Sequence, residues 1–323
     1  MLFAQPSIPR PPSDVSLASK TILITGANRG LGFAATRTLL LLGAGKLIFP
    51  VRCIPKGEAA RAKLLADPEV QASNANATIE ILHLDLQNYS SILECVRQVE
   101  RMCDDDVDLL DLGEKARKTR KQGLDALILN ASASYFSSEF KATCNGHERM
   151  LQVNYLSNAL LAISLLPLLK ATAAMKGTPT RITWMGSSRY RYHTLNNGSK
   201  IQAVLKEENS VLGYMDDKAR WEREKWIRYN DTKLFAALFV RELAARISSD
   251  EVIVNMCCPS MANTGITDDL PRLVWVMMKA IVAVHARSRQ EGGWVIVRAG
   301  VGKEIGSDSE NHGMFLKDGH VNP

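Results

Sequence analysis

The chain has 323 residues, 46% of them hydrophobic and 23% charged, with a formal net charge of +6, so it can bury one large core. Its basic residues are scattered, without a Lys/Arg run interleaved with aromatics, which argues against nucleic acid and for an anionic small ligand. The six cysteines, at 53, 95, 103, 144, 257 and 258, make no CxxC or metal-ligand spacing; they predict no metal site and a reduced, cytoplasmic setting.

In chain order, residues 1–19 form a Pro-rich segment without a long apolar core, read as an irregular arm rather than a signal peptide. Residues 20–323 read as one domain. Short, nearly continuous apolar runs at 21–25, 46–51, 79–85, 124–130, 181–186 and 252–259 predict strands covered on both faces. Segments with apolar residues at helical spacing lie between them, such as "LGFAATRTLLLLG", "SSILECVRQVERM" and "HERMLQVNYLSNALLAISLLPLLK". Strand alternating with helix predicts an α/β fold: a doubly wound parallel sheet of the Rossmann kind, with helices on both faces.

The first strand runs into "TGANRGLG". Gly26, Gly30 and Gly32 allow a tight turn and bring the start of the next helix close to a phosphate. A cofactor with a free ribose 2′-hydroxyl meets an acid about 20 residues past such a turn. Here there is no Asp or Glu between Phe33 and Gly57. Arg52 stands at the end of the second strand instead, and Arg29 lies inside the turn. A guanidinium fork suits a 2′-phosphate, so the sequence predicts NADP(H) over NAD(H).

Several motifs in one order resemble the compact branch of the short-chain dehydrogenase/reductase family. They are the T-G-x-x-x-G-x-G turn from Thr25 to Gly32; Asp85 in "HLDLQN"; "LILNAS", with Asn130 and Ala131 kept and Ser132 in place of Gly; "VNYLSN", with Asn154; "RITWMGSS", with Ser187; "YNDTK", with Tyr229 and Lys233; and "CCPSMANT", with Pro259 and Thr264 kept and Ser260 in place of Gly. The resemblance covers roughly residues 20–300. It implies cofactor contacts from Thr25, Gly26, Asn28, Arg29, Gly30, Leu31, Gly32, Arg52, Asp85, Leu86, Asn130, Ala131, Tyr229, Lys233, Pro259 and Thr264. It implies a catalytic set of Asn154, Ser187, Tyr229 and Lys233, with Ser188 the competitor for the serine role. Asn154 is expected to hold a water that links Lys233 to solvent, and Lys233 to reach the nicotinamide ribose.

The chemistry of the pair follows from its types and spacing. A free Tyr, with a pKa of about 10, holds its proton too tightly to pass it both ways near neutral pH. A Lys four residues on shares the helix face, and its ammonium favours the phenolate. Ser187 can donate to the same substrate oxygen as it gains charge.

Two stretches depart from the compact pattern. Residues 189–228, a long loop near the active site, separate Ser187 from Tyr229 by 42 positions. Their aromatics, Tyr190, Tyr192, Tyr214, Trp221 and Trp226, either line a pocket or anchor the loop. Residues 260–290 cover the region where the family builds its substrate lid. Its apolar run 273–286 is too short to span a bilayer and reads as a buried helix, a lid or an interfacial helix.

The reading is an NADP(H)-dependent oxidoreductase interconverting a ketone and a secondary alcohol on a bulky hydrophobic substrate. In motif style it is similar to retinol-dehydrogenase-like members and to reductases of fungal secondary metabolism. The alternatives are an NADP(H)-sensing regulator on the same fold and a retinol-type dehydrogenase at a membrane surface. The resemblance further implies a homodimer or homotetramer.

Overall fold

The structure is a computed structural model that describes residues 5–11, 14–104, 122–135, 139–195, 202, 206, 210–264, 270, 272–302, 309–318 and 320–321. Its order is β1 (Thr21–Ile24), α1 (Gly30–Leu41), β2 (Lys46–Val51), α2 (Ile54–Leu65), α3 (Pro68–Ser73), β3 (Thr78–His83), α4 (Tyr89–Asp104) and β4 (Ala126–Leu129). Then come α5 (Arg149–Leu151), a π-helical turn (Gln152–Leu156), α6 (Ser157–Lys176), β5 (Thr180–Met185), a 3₁₀ turn (Ser188–Tyr192), α7 (Ser210–Asp216), α8 (Lys218–Ala245) and β6 (Val252–Cys258). The last elements are α9 (Arg272–His285), α10 (Arg289–Val301), β7 (Phe315–Lys317) and β8 (His320–Val321).

All six predicted strands form. They assemble in the order β3-β2-β1-β4-β5-β6-β7-β8, parallel throughout except for β8, which pairs antiparallel with β7. β7 and β8 are too short to show a period in the sequence. The sheet separates two apolar layers. On one face α4, α6 and α8 bury Ile92, Leu161, Leu165 and Val240 against Leu127, Ile182 and Val254. On the other, α1 and α10 bury Leu39, Val295 and Ile296 against Ile24, Ile128 and Cys257. Strand order reverses between β1 and β4, the place where open α/β sheets take ligands at the C-terminal ends of their strands.

The described residues of the arm lie outside helices and strands, and among them Ile8, Val15 and Leu17 are buried. Residues 149–176 form one helical run long and apolar enough to cross a membrane, yet much of that run is packed inside the fold.

The described parts of 189–228 differ from the long loop expected there. The described end of the stretch is helical: α7 and the first eleven residues of α8, so that Tyr229 sits inside a 28-residue helix. Tyr214 and Trp221 are buried anchors, and Tyr190 packs edge-on against Phe315 at 5.2 Å. Tyr192 and Trp226 are exposed. In the 260–290 stretch α9 has no buried residue among those described, and Leu273, Met277 and Val284 face solvent. The buried-helix reading of 273–286 is thereby set aside.

Candidate active site

The turn after β1 is shaped by backbone alone. Gly26 and Gly30 have φ of +68° and +60°, in the left-handed region. A Cβ on Gly32 would lie 2.2 Å from the Gly26 carbonyl oxygen, so this position admits no side chain. A Cβ on Gly30 would meet nothing within 4 Å, which marks the open side of the turn. The α1 N-terminus has no side-chain cap among the described residues, and its first-turn N–H groups face an anion-favouring field. These features fit a dinucleotide phosphate.

Several residues expected at the cofactor also make bonds within the fold. Thr25 is fully buried: its hydroxyl accepts from the Ala131 N–H at 2.9 Å and its carbonyl from Asn130 Nδ2 at 2.9 Å. Thr25, Asn130 and Ala131 therefore tie β1 to β4 and hold the turn's shape. Leu86 is buried, and its carbonyl accepts from the Ser157 hydroxyl at 2.5 Å. Asn28 and Leu31 are half-buried on the turn, and Arg29 is exposed there. Arg52 is exposed just past β2. It and Asp85 both lie close enough to act electrostatically on Tyr135, so all three face one region at the ends of β2, β3 and β4. Pro259 accepts from Arg287 through its carbonyl at 3.0 Å, and Thr264 is half-buried beyond it. Ser260, in place of the family's Gly, keeps a φ of +55°; its hydroxyl donates to Asp318 at 3.0 Å, which helps hold that backbone.

The four expected catalytic residues converge. Asn154 lies in the π-helical turn, an irregularity often found at functional sites. It is fully buried: its Oδ1 accepts from the Ala133 N–H at 2.8 Å, and its Nδ2 donates to the Ala133 carbonyl at 2.8 Å and to the Thr232 hydroxyl at 3.2 Å. Both amide hydrogens are thus engaged inside the protein, pinning the loop after β4 to α8. Ser187 starts the 3₁₀ turn, with its hydroxyl accepting from the Arg189 N–H at 3.3 Å. Ser187 also hydrogen-bonds the Tyr229 phenol. Ser188 meets Cys258 Sγ instead, through its N–H at 3.3 Å and its hydroxyl at 3.5 Å.

Lys233 Nζ donates to the Met185 carbonyl at 3.0 Å and lies 5.5 Å from the Tyr229 ring centroid. Here the electrostatics differ from the expectation that Lys233 lowers the phenol. Burial pushes Tyr229 up to about 12, and the nearby Cys258 adds to this, with Ser187, Ser132 and Arg189 opposing. Burial also brings Lys233 down to about 8. Both residues have left water, and that loss disfavours the charged form of each. One consequence is testable. Below pH of about 8 the protein carries a buried ammonium that the unfolded chain holds in water, a cost that fades as pH rises from about 8 towards 10.5. Lys233→Met should therefore gain in Tm relative to wild type at pH 7, with the gain shrinking by pH 10; a pH-independent difference in calorimetry would refute this.

The departures in 189–228 are stitched to the catalytic helix at both ends. Arg189 Nε donates to Asn230 Oδ1 at 3.2 Å, and Asn230 Nδ2 donates to the Tyr192 carbonyl at 2.8 Å. Asp231, fully buried, accepts from the Thr194 N–H and hydroxyl at 2.7 and 2.9 Å. Arg228, also fully buried, donates to the Tyr214 and Met215 carbonyls at 2.9 and 3.0 Å and pairs with Asp231 at 3.8 Å. Sequence reasoning missed Arg228 and Asp231. The signal was there in charges flanking a Tyr inside a helix, but such charges usually face water.

No established protein-family profile matches the chain. Curated relatives do. It is 37% identical over 316 residues to the short chain dehydrogenase yanD of Aspergillus niger, covering 98% of this chain and 87% of that one. It is 35% identical over 316 residues to the short-chain dehydrogenase/reductase tropG of Talaromyces stipitatus, again covering 98% and 87%. Among solved structures, an NADPH-dependent 3-quinuclidinone reductase from Rhodotorula rubra superposes with a TM-score of 0.62 at 18% identity, covering 98% of this chain and 96% of that one. The Pseudomonas aeruginosa RhlG/NADP complex gives 0.62 at 18%, covering 95% and 97%. The chain belongs to the short-chain dehydrogenase/reductase family. It is an oxidoreductase of the Rossmann fold.

Proposed function

We propose that the protein is an NADP(H)-dependent reductase that interconverts a ketone and a secondary alcohol on a bulky, hydrophobic substrate. The observation that carries this is the convergence of a buried Tyr229, its Ser187 neighbour and Lys233 beside a Gly turn fit for a dinucleotide. When bound, the cofactor supplies the hydride. Tyr229 and Ser187 hold the carbonyl oxygen, and Tyr229 donates the proton as general acid. Lys233 stands behind the phenol, and Asn154 holds the loop after β4 against α8.

Arg52 and Arg29 support the phosphorylated cofactor, since no carboxylate precedes Gly57 in that part of the chain. Arg52→Asp should cut kcat/KM with NADPH by about 100-fold and raise it with NADH, because a charge-assisted fork is replaced by repulsion. Unchanged NADPH kinetics would remove Arg52 from the cofactor site.

The exposed apolar face of α9, with Leu273, Met277 and Val284, supports a lid over an apolar substrate. The same face also suits a membrane surface, and flotation with liposomes separates the two readings. We place the protein in the cytoplasm, with Ile163 on α6 and Leu238 on α8, both about half exposed, as centres of a homodimer or homotetramer contact. A screen of large apolar ketones and of small polar ones, read by NADPH oxidation, tests the substrate class: turnover confined to small polar ketones would contradict it.

A further inference from the structure

Ser132 occupies the place where the resembling family has Gly, and the reaction proposed above gives its hydroxyl no role. The backbone on either side of it is fixed. The Ala131 N–H donates to Thr25 Oγ1 at 2.9 Å, and Ala133 exchanges two hydrogen bonds of 2.8 Å with the Asn154 amide. Between these anchors the Ser132 side chain is aimed by the framework. Its Oγ is shielded from solvent and lacks a partner of good geometry among the described residues. Yet it lies against the Tyr229 phenol, near enough to favour the charged form of that ring. A buried hydroxyl without a partner costs stability, so a native protein that keeps one invites an explanation in function.

We propose that Ser132 is a second hydroxyl for Tyr229, donating its Oγ–H to the phenolate oxygen that remains once Tyr229 has given up its proton. This rests on the reductase reading above. In the step itself the Tyr229 O–H bond breaks, a new O–H bond forms on the substrate oxygen, and negative charge passes to the phenolate. The Ser132 O–H bond stays intact and turns its hydrogen toward that charge. The other groups facing the phenol explain why such a donor matters. From β6, the Cys258 sulfur opposes the phenolate. From the 3₁₀ turn, Ser187 and Arg189 favour it, but Ser187 must also serve the substrate oxygen. From α8, Lys233 is held by the Met185 carbonyl and lies 5.5 Å from the ring. A short hydrogen bond to an anion is stronger than one between neutral groups, and Ser132 supplies it without a charge of its own.

The test uses the full chain with a fluorinated tyrosine at position 229, whose ring fluorines lower its pKa into a range the fold survives, followed by fluorine NMR. Ser132→Ala should raise the titration midpoint by about one unit, and Ser132→Thr, which keeps the hydroxyl, should restore it. In the unlabelled chain, Ser132→Ala should lower kcat for ketone reduction about tenfold, with NADPH affinity unchanged, and Ser132→Thr should recover it. A midpoint that Ser132→Ala leaves in place overturns the proposal. A midpoint that moves, in a protein that reduces no ketone, upholds the contact and sinks the reductase reading instead.

Discussion

Tyr229→Phe should lower ketone reduction by about a thousandfold or more while leaving NADPH affinity within twofold of wild type. The change removes one oxygen from a buried ring, so the fold loses little packing. General acid catalysis contributes up to about 10⁴-fold, and in this site the phenol is the group placed to give a proton to a carbonyl oxygen. Ser187 hydrogen-bonds it but, as an aliphatic alcohol, is a much weaker acid. The expected signature is a collapse in kcat rather than a rise in KM. A family member that only senses its cofactor would bind NADPH equally well before and after the change and show no turnover in either form. Isothermal titration of NADPH beside steady-state rates therefore separates the two accounts.

Asp231→Ala should destabilise the fold by about 3 kcal/mol, the low end for breaking a buried ion pair, measured by urea unfolding. The variant takes from the fully buried Arg228 its closest described acidic partner, leaving Glu224 at 4.0 Å and the charge of the buried Glu148 nearby. It also frees the Thr194 N–H and hydroxyl that Asp231 accepts. Replacing both members together, with Asp231→Ala and Arg228→Met, should recover part of that loss, because an uncompensated charge costs more than an apolar replacement of the pair. Recovery stays incomplete because the Tyr214 and Met215 carbonyls lose their Arg228 donor. A double variant as unstable as the sum of the singles would show that the two residues act independently.

The fold was largely legible because its signals are long and redundant. Most of β1 to β6 are nearly continuous apolar runs, as strands buried on both faces should be; β3, at the sheet edge, and β5, with Thr180, Arg181 and Thr183, are the mixed ones. The Gly turn was legible for the same reason that it works: a Cβ at Gly32 would collide with the Gly26 carbonyl. What escaped was set by tertiary context. The charged, aromatic stretch before Tyr229 reads as a solvated loop, yet its polar groups pair inward with Arg228, Asp231 and Thr194. β7 and β8 gain their strand character from the edge of β6 rather than from their own few residues. In the site, spacing placed Tyr229 and Lys233 on one helix face but carried no information on desolvation, which moves the phenol up and the amine down. The resemblance named Asn154 but not the bonds by which its side chain clamps Ala133 to Thr232.

The central claim is that this chain delivers a hydride and a Tyr229 proton to a ketone. It is tested most directly by incubating the protein with a panel of large apolar ketones and NADPH deuterated at the transferring position, with mass spectrometry of the products. The account predicts a secondary alcohol bearing one deuterium on the carbinol carbon, formed by wild type and lost in Tyr229→Phe. Bound NADPH with no deuterium transferred to any ketone in the panel, or equal transfer by Tyr229→Phe, would contradict it.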